Sequence, residues 1–536
     1  MQDASESPAP NLADRVRRAA LDRADRPALH WREHTVSWSE LDAAVDAAAR
    51  GLSAAAPPTD PGGTPPRVAI ALPNTPDFVI AWLGALRAGL VTVPVNPDLT
   101  APELRHVLAD SGASVLVATD HVRGMVADVA AELPALASVH GTPPTAEAPG
   151  PAPRPRRGGA DLAVLLYTSG TEGRPKGAML SHQALLANHE QVAEIEPPVV
   201  GPTDTVLLAL PLFHAYGLNS GLGAVVHHGA TGVLLDEPGP TAGLDEIARH
   251  RVSVLVGVPS MFLTWAGAAT ARAATASVRV AVCGAAPLEP AVAASFTEVT
   301  GHQVHIGYGL TETAPVLTST LVGGVAKPGS IGRPLPGVRL RLVGADGTDL
   351  WRDGLAVPAD DDPDELDISD VAPGTDPGQI VVSGPNLFTG YWPDGRGGPD
   401  TEGWWGTGDI AYADEDGDLF LVDRLGELIL VNGFNVYPHE VELVLAGHPG
   451  VIESAVLGVP HPRTGETVRA YVVPVQGRPV TSEELLAHCA RNLARFKCPT
   501  AVEFVDALPH SAIGKVRKTQ LRSATPTDRT EVTDGQ

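Results

Sequence analysis

Residues 67–119 read RVAIALPNTPDFVIAWLGALRAGLVTVPVNPDLTAPELRHVLADSGASVLVAT, and this stretch decides the fold class. RVAIALPN is a buried strand and turn, DFVIAWLGALRAG a helix closed by Gly89, VTVPVN a second strand, APELRHVLADSG a helix closed by Gly112, and SVLVAT a third strand. Short apolar runs alternating with helical spacing predict a largely parallel sheet covered on both faces. Further on, VSVLVGVPS (252–260), ASVRVAVCGAAPL (276–288) and HQVHIGYGL (302–310) repeat the pattern, as a related half of one large α/β domain would.

Outward from this core, Leu12 to Leu21 carries helical spacing, and residues 1–10 are polar and Pro-rich, so that tail is expected to be disordered. TPPTAEAPGPAPRPRRGGA (142–160) reads as a Pro-rich surface connection. The acidic, turn-rich stretch 353–377 reads as an insertion. After GDLFLVDRLGELILVNGFNVYP the chain becomes a compact run of helices and short strands ending near Leu521. The expected organisation is a large, multi-subdomain N-terminal α/β domain over 11–424 and a small mobile α+β domain over 425–522. A polar tail, 523–536, is expected to be disordered.

With 536 residues the chain can bury a sizeable core. Its net charge of −25 argues against nucleic acid as a partner, because neutralising phosphates takes clustered Lys and Arg. No apolar run approaches the ~20 residues that span a bilayer, and no basic segment precedes an apolar one at the start, so an integral membrane protein is not expected. Cys283, Cys489 and Cys498 are too scattered for a disulfide framework or a metal site. A cytoplasmic location follows as the expectation. Arginine outnumbers lysine 33 to 5, which makes the survivors Lys176, Lys327, Lys497, Lys515 and Lys518 informative. An ammonium resists replacement where a compact charge or a slim stem is needed.

The most chemically specific segment is DLAVLLYTSGTEGRPKGAMLSH (161–182). A buried strand feeds a loop of Thr168, Ser169, Gly170, Thr171, Glu172, Gly173, Arg174, Pro175 and Lys176. Glycines let backbone N–H groups converge on an oxyanion, the hydroxyls add donors, and Lys176 adds a point charge, so the loop is built to hold phosphate. It is not a Walker A loop, since Pro175 precedes the lysine and no Gly-Lys-Ser/Thr follows.

This loop resembles the signature of the adenylate-forming (AMP-binding) superfamily, which includes acyl-CoA synthetases, aryl-CoA ligases, peptide-synthetase adenylation domains and firefly luciferase. Further matches follow in the family's order: PLFHAYGLN (211–219), CGAAPL (283–288), GYGLTETAP (307–315), GWWGTGDIA (403–411), VDRLGELILVNGFNVYPHEVE (422–442) and SAIGKVRK (511–518). The resemblance implies binding of ATP/AMP by Thr168, Ser169, Gly170, Thr171, Gly173, Lys176, Gly284, Ala285, Tyr308, Gly309, Thr311, Asp409 and Arg424. Tyr308 would pack on adenine, Thr311 would contact the α-phosphate, and Glu312 with Thr168 would ligate Mg²⁺. Asp409, read as part of a tight Thr-Gly-Asp turn, and Arg424 would hold the ribose. Lys515 would be catalytic together with Thr168, Glu312 and His214, because a cation between the carboxylate and the α-phosphate stabilises the charge that develops when two anions are joined. Gly426 stands at the family's hinge, where Lys or Asp is usual, and glycine absorbs large φ/ψ changes at little steric cost.

By the same resemblance His214, Tyr216, Gly284, Ala286 and Gly307 line an acyl pocket. No aspartate for an amino acid's ammonium stands near His214, which disfavours an amino acid substrate. The small residues of GLNSGLGAVVHHGA (217–230) are consistent with a channel for an alkyl chain. The expected function is an AMP-forming acid–thiol ligase of medium- or long-chain fatty acids, using ATP, Mg²⁺ and coenzyme A. The alternatives are a fatty acyl-AMP ligase delivering to an acyl-carrier protein, an aryl-CoA ligase, and a non-catalytic nucleotide-binding relic. A homodimer is a candidate assembly.

Overall fold

The computed structural model describes residues 10–58, 63–146, 157–168, 175–236, 242–323, 326–357, 374–424, 427–431, 434–461, 464–510, 516–518 and 520–521. The stretch that opened the reading folds as strands Arg67–Ala71, Val91–Pro94 and Val115–Ala118, separated by helices Pro76–Arg87 and Ala101–Ser111. Val68, Ala69, Ile70 and Ala71 are fully buried, as a strand covered on both faces requires. The second helix is set at its start by a reciprocal Thr100–Glu103 capping box and at its end by Gly112 in the left-handed region (φ 57°). The first is closed by Gly89 (φ 69°) and buries Phe78 and Trp82 completely.

These strands belong to a six-stranded sheet, parallel throughout except for its last member, Lys176–Ser181, which pairs antiparallel with Leu162–Thr168. The second strand run also forms as expected: Val254–Gly257, Val280–Cys283 and Val304–Gly309 are adjacent and parallel. Strands Thr205–Leu208, Thr231–Leu234 and Pro27–Trp31 extend this run on one side. On the other side it continues antiparallel through Val316–Ser319, Ser330–Pro334 and Leu419–Arg424 to Asp349–Arg352, in a path of fifteen strands.

Two expectations need adjustment. Asp409 lies within the Trp405–Ala413 strand, where it is paired with Arg424, and not in a tight turn. Gly406 and Gly408 made the segment read as a turn, but a strand on each side imposes the pairing, and Gly408 keeps its positive φ of 79° within it. The acidic stretch expected as an insertion starts inside a hairpin, Asp349–Arg352 with Leu355–Ala356, in which Trp351 is buried; residues 358–373 lie outside the described residues.

A separate sheet of Ile429–Val431, Phe434–Val436, Val451–His461, Gly465–Pro474 and Ala501–Phe504 follows. With helices Pro438–Ala446 and Ser482–Asn492 it encloses its own core of Val441, Leu445, Val456, Leu485 and Cys489. The mixed architecture agrees with the expected α/β body and smaller α+β unit. Among the described residues, no helix is long and apolar enough to cross a membrane.

Candidate active site

Three strands deliver their carboxyl ends to one cavity, the usual ligand position in an open α/β sheet. Leu162–Thr168 ends on Thr168, Val280–Cys283 leads into Ala285, and Val304–Gly309 ends on Tyr308 and Gly309. The cavity has a volume of about 790 Å³, and its walls include Thr168, Tyr308, Thr311, Glu312, Asp409 and His214. Several of these positions are sterically fixed. A Cβ on Gly309 would come 1.7 Å from the Pro315 carbonyl oxygen, and one on Gly284 would lie 3.0 Å from both the Gly307 oxygen and the Tyr216 ring. Ala285 holds a left-handed φ of 68°, strained for a residue with a side chain and located on the cavity wall.

The Tyr308 hydroxyl donates to Asp409 Oδ2 at 2.7 Å, joining two strands far apart in sequence. Glu312 is 7% exposed, and its Oε1 accepts from the Tyr391 hydroxyl at 2.7 Å. Lys176 Nζ sits over the Tyr391 ring, 5.6 Å from its centre, so this tyrosine braces both the carboxylate and the loop lysine. Tyr391 was not found from the sequence, because nothing in linear spacing ties it to Glu312. The Tyr216 hydroxyl donates to the Val282 carbonyl (3.4 Å), and burial holds its pKa well above the usual phenol range. The Tyr216 N–H donates to His214 Nδ1 (3.3 Å), which places the proton of a neutral ring on Nε2.

Of the remaining expected site residues, Gly307 and Ala285 line the cavity, whereas Gly284 supports it from behind and Ala286 is not among the described lining residues. Ser169, Gly170, Thr171, Gly173, Gly426 and Lys515 lie outside the described residues, as does the side chain of Arg424. Chain on either side of 511–515 is nevertheless placed: His510 bridges Val516, and Val516, Arg517 and Lys518 line the cavity. Lys518 pairs with Glu427 and Glu442, each at 2.9 Å; burial works to lower its pKa, and the two carboxylates overcome this and raise it. Glu103, capped by Thr100, is lowered further by the charge of Arg517, which brings the C-terminal segment up to the first sheet.

Hard oxygen donors suit Mg²⁺, and on a nucleotide phosphate that ion keeps several waters and takes only one or two protein ligands. The Glu312 carboxylate and the Thr168 hydroxyl, both on the cavity wall, fit that demand. Among the described residues no group of three or more His, Cys, Asp or Glu is placed to hold a metal ion.

Residues 16–392 match the family described as AMP-binding enzyme, and residues 440–515 match the AMP-binding enzyme C-terminal domain. The chain belongs to the AMP-binding enzyme family. It is 38% identical over 497 residues to a feruloyl-CoA synthase of Amycolatopsis sp, covering 91% of this chain and 93% of that one. It is 35% identical over 498 residues to a long-chain-fatty-acid–CoA ligase of Escherichia coli O157:H7, covering 85% of each chain. The solved structure of ATP-bound MatB from Rhodopseudomonas palustris superposes with a TM-score of 0.82 at 31% identity, covering 96% of this chain and 99% of that one. With CoA ligases related to it over most of its length, this AMP-binding enzyme is an AMP-forming acyl-CoA synthetase.

Proposed function

We propose that this acyl-CoA synthetase activates a medium- to long-chain carboxylic acid, taking it through an acyl-adenylate to the thioester of coenzyme A. The observation that carries the reading is the aliphatic lining of the cavity beyond Tyr308, where Val192, Ile195, Val199, Val256, Val282 and Leu335 form the walls. Hydrocarbon leaves water for such a surface at about 25 cal/mol per Å². In the first step the carboxylate oxygen attacks the α-phosphorus of ATP and pyrophosphate leaves. In the second the CoA thiolate attacks the acyl carbon and AMP leaves.

The chain's own residues position and neutralise. Thr168, Ser169, Gly170, Thr171, Gly173 and Lys176 hold the leaving phosphates, and Thr311 holds the α-phosphate. The Tyr308 ring faces adenine, and Asp409 with Arg424 accepts and donates at the ribose. Glu312 and Thr168 would hold a Mg²⁺ ion, which would supply positive charge to offset that of the phosphates. Lys515 bridges the attacking carboxylate and the α-phosphate, where negative charge concentrates in the transition state.

An aromatic acid is the competing reading, favoured by the 38% identity to a feruloyl-CoA synthase. Pyrophosphate release should be followed with octanoate, palmitate, benzoate and cinnamate, with and without CoA, alongside analysis of the thioester product. Efficient, CoA-dependent turnover of an alkanoate is expected. Preference for cinnamate over both alkanoates would replace the fatty acid with an aryl acid. Release that ignores CoA and leaves no acyl-CoA would favour delivery to an acyl-carrier protein.

A further inference from the structure

The strands on either side of the phosphate loop are its two feet. Leu162–Thr168 and Lys176–Ser181 pair antiparallel, with Thr168 opposite Lys176 and Tyr167 opposite Gly177. Both feet meet one helix, Ala101–Ser111. His106 Nε2 lies 3.0 Å from the Pro175 carbonyl oxygen, one residue before Lys176. The Tyr167 hydroxyl, one residue before Thr168, donates to Asp110 Oδ2 at 2.6 Å. Positions 106 and 110 are about one helical turn apart, so a single face reaches both feet. Glu103 and Val107 stand on that same face and line the cavity.

We propose that His106 and Asp110 are positioning residues for the adenylation step: through Pro175 and Tyr167 they clamp the two feet of the phosphate loop and hold its donors on the pyrophosphate as it leaves. The proposal rests on the reading of residues 168–176 as the holder of the leaving phosphates. A carbonyl can only accept, so His106 Nε2 carries the hydrogen of its bond. The Pro175 carbonyl shares a peptide plane with the Lys176 N–H, and fixing that plane fixes where the lysine's strand begins. Proline at 175 removes more freedom, since its ring locks φ at about −65°. At the other foot, burial and the Asp110 carboxylate hold the Tyr167 phenol well above its usual range, which keeps the hydroxyl a donor.

The helix is anchored firmly enough to serve as a fixed reference. Arg67 donates from Nε to the Ser111 carbonyl (2.7 Å) and from Nη2 to the Gly112 carbonyl (2.9 Å). Trp392 donates from Nε1 to the Asp110 carbonyl (2.9 Å) and from its backbone N–H to the Gly177 carbonyl (2.8 Å). It thereby ties the end of the helix to the strand of Lys176 a second time, and the Arg67 guanidinium lies over its ring, 5.4 Å from the centre. Donors stabilise departing charge most when they are held in place before the reaction, which is what a clamp on both feet supplies.

An acyl-adenylate carries no β- or γ-phosphate, so the clamp serves the first half-reaction and not the second. Acid-dependent ATP–pyrophosphate exchange and single-turnover transfer from preformed acyl-adenylate to CoA should be measured for His106→Phe, His106→Gln and Tyr167→Phe. The acid is whichever of octanoate, palmitate, benzoate and cinnamate the wild type turns over fastest, and Lys176→Ala is the control for the loop itself. His106→Phe and Tyr167→Phe should each lower kcat/KM for pyrophosphate in exchange by roughly tenfold, as loss of one hydrogen bond would, and leave transfer to CoA within about twofold. His106→Gln, whose amide nitrogen can donate to the same carbonyl, should recover most of the loss. If Lys176→Ala slows exchange while both phenylalanine variants match the wild type, slow the two half-reactions equally, or are no worse than His106→Gln, the clamp is overturned and the loop assignment stands. If Lys176→Ala itself exchanges as the wild type does, the loop does not hold the leaving phosphates and both readings fall.

Discussion

In the proposed mechanism Lys515, Glu312 and Thr168 address the central difficulty of the reaction, which is to bring a carboxylate against a triphosphate. The Tyr391 hydroxyl fixes Glu312, and the cation over the same ring is Lys176, so part of this charge arrangement is set before substrate arrives. Lys515→Ala should lower the rate of acyl-adenylate formation by roughly 10² to 10³ while leaving ATP binding within a few fold, because the lysine's contact with the bridging oxygens strengthens only in the transition state. Pyrophosphate exchange and equilibrium ATP binding would be measured side by side. Retention of full exchange would remove Lys515 from the chemistry. At this scale the sequence discloses residues embedded in a distinctive local string, such as Tyr308 in GYGLTET. It conceals Tyr391 and His189, whose positions depend on contacts between distant segments.

The helix His182–Ala193 shows why element-level reading also runs out. Its apolar spacing marks a buried helix, yet its buried residues include His182, Asn188, His189 and Gln191, each at 5% exposure or less. Those polar groups are tolerated because they are bonded: Asn188 to Val316, His189 to Asn219, Gln191 to Asn386, and the Leu12 N–H to His182 Nδ1 at 3.3 Å. None of these partners is visible from periodicity. The π turn at Tyr216–Gly223 is equally hidden in a string of small residues. The histidines make the element sensitive to acid. Burial pushes His182 down to about 4 from an unfolded value of 6.5, with Asp161 opposing the shift in part. The unfolded chain therefore takes up a proton first as pH falls, and stability present above pH 6.5 is lost progressively toward pH 4. At pH 5 this one group should cost about 2 kcal/mol relative to neutral pH. Thermal unfolding at pH 7.5 and pH 5 should show the loss, and His182→Gln, which can still accept from Leu12, should show a smaller one. An identical decrease in both proteins would exclude His182 as the titrating group.

At the scale of the whole molecule, the cavity is walled by both strand-rich sheets and closed by Val516, Arg517 and Lys518 from the C-terminal unit. The parallel body was legible because each of its strands is a near-continuous apolar run. The antiparallel continuation from Val316–Ser319 to Asp349–Arg352 was not, since Arg339–Val343 and Gly378–Ser383 within it alternate in burial and its strands are paired by contacts distant in sequence. The closed arrangement, with Val516, Arg517 and Lys518 on the cavity wall, suits the proposed adenylation step. Under the proposed two-step mechanism, thioester formation opens the adenylate to a thiol, and the expected hinge would let the C-terminal unit turn away. The link between the bodies runs from Arg424, the end of a strand of the large sheet, to Glu427, which is tied to Lys518 in the smaller unit. Gly426 lies between these two fixed points, outside the described residues. Proline there would restrict φ to about −65° and constrain the preceding residue as well. Gly426→Pro should therefore retain acid-dependent pyrophosphate exchange within a few fold and slow transfer from preformed acyl-adenylate to CoA by roughly tenfold or more. Both half-reactions can be measured on one preparation, by exchange and by single-turnover thioester formation. Equal loss of the two would show that residue 426 acts on the closed site itself and would end its assignment as the pivot.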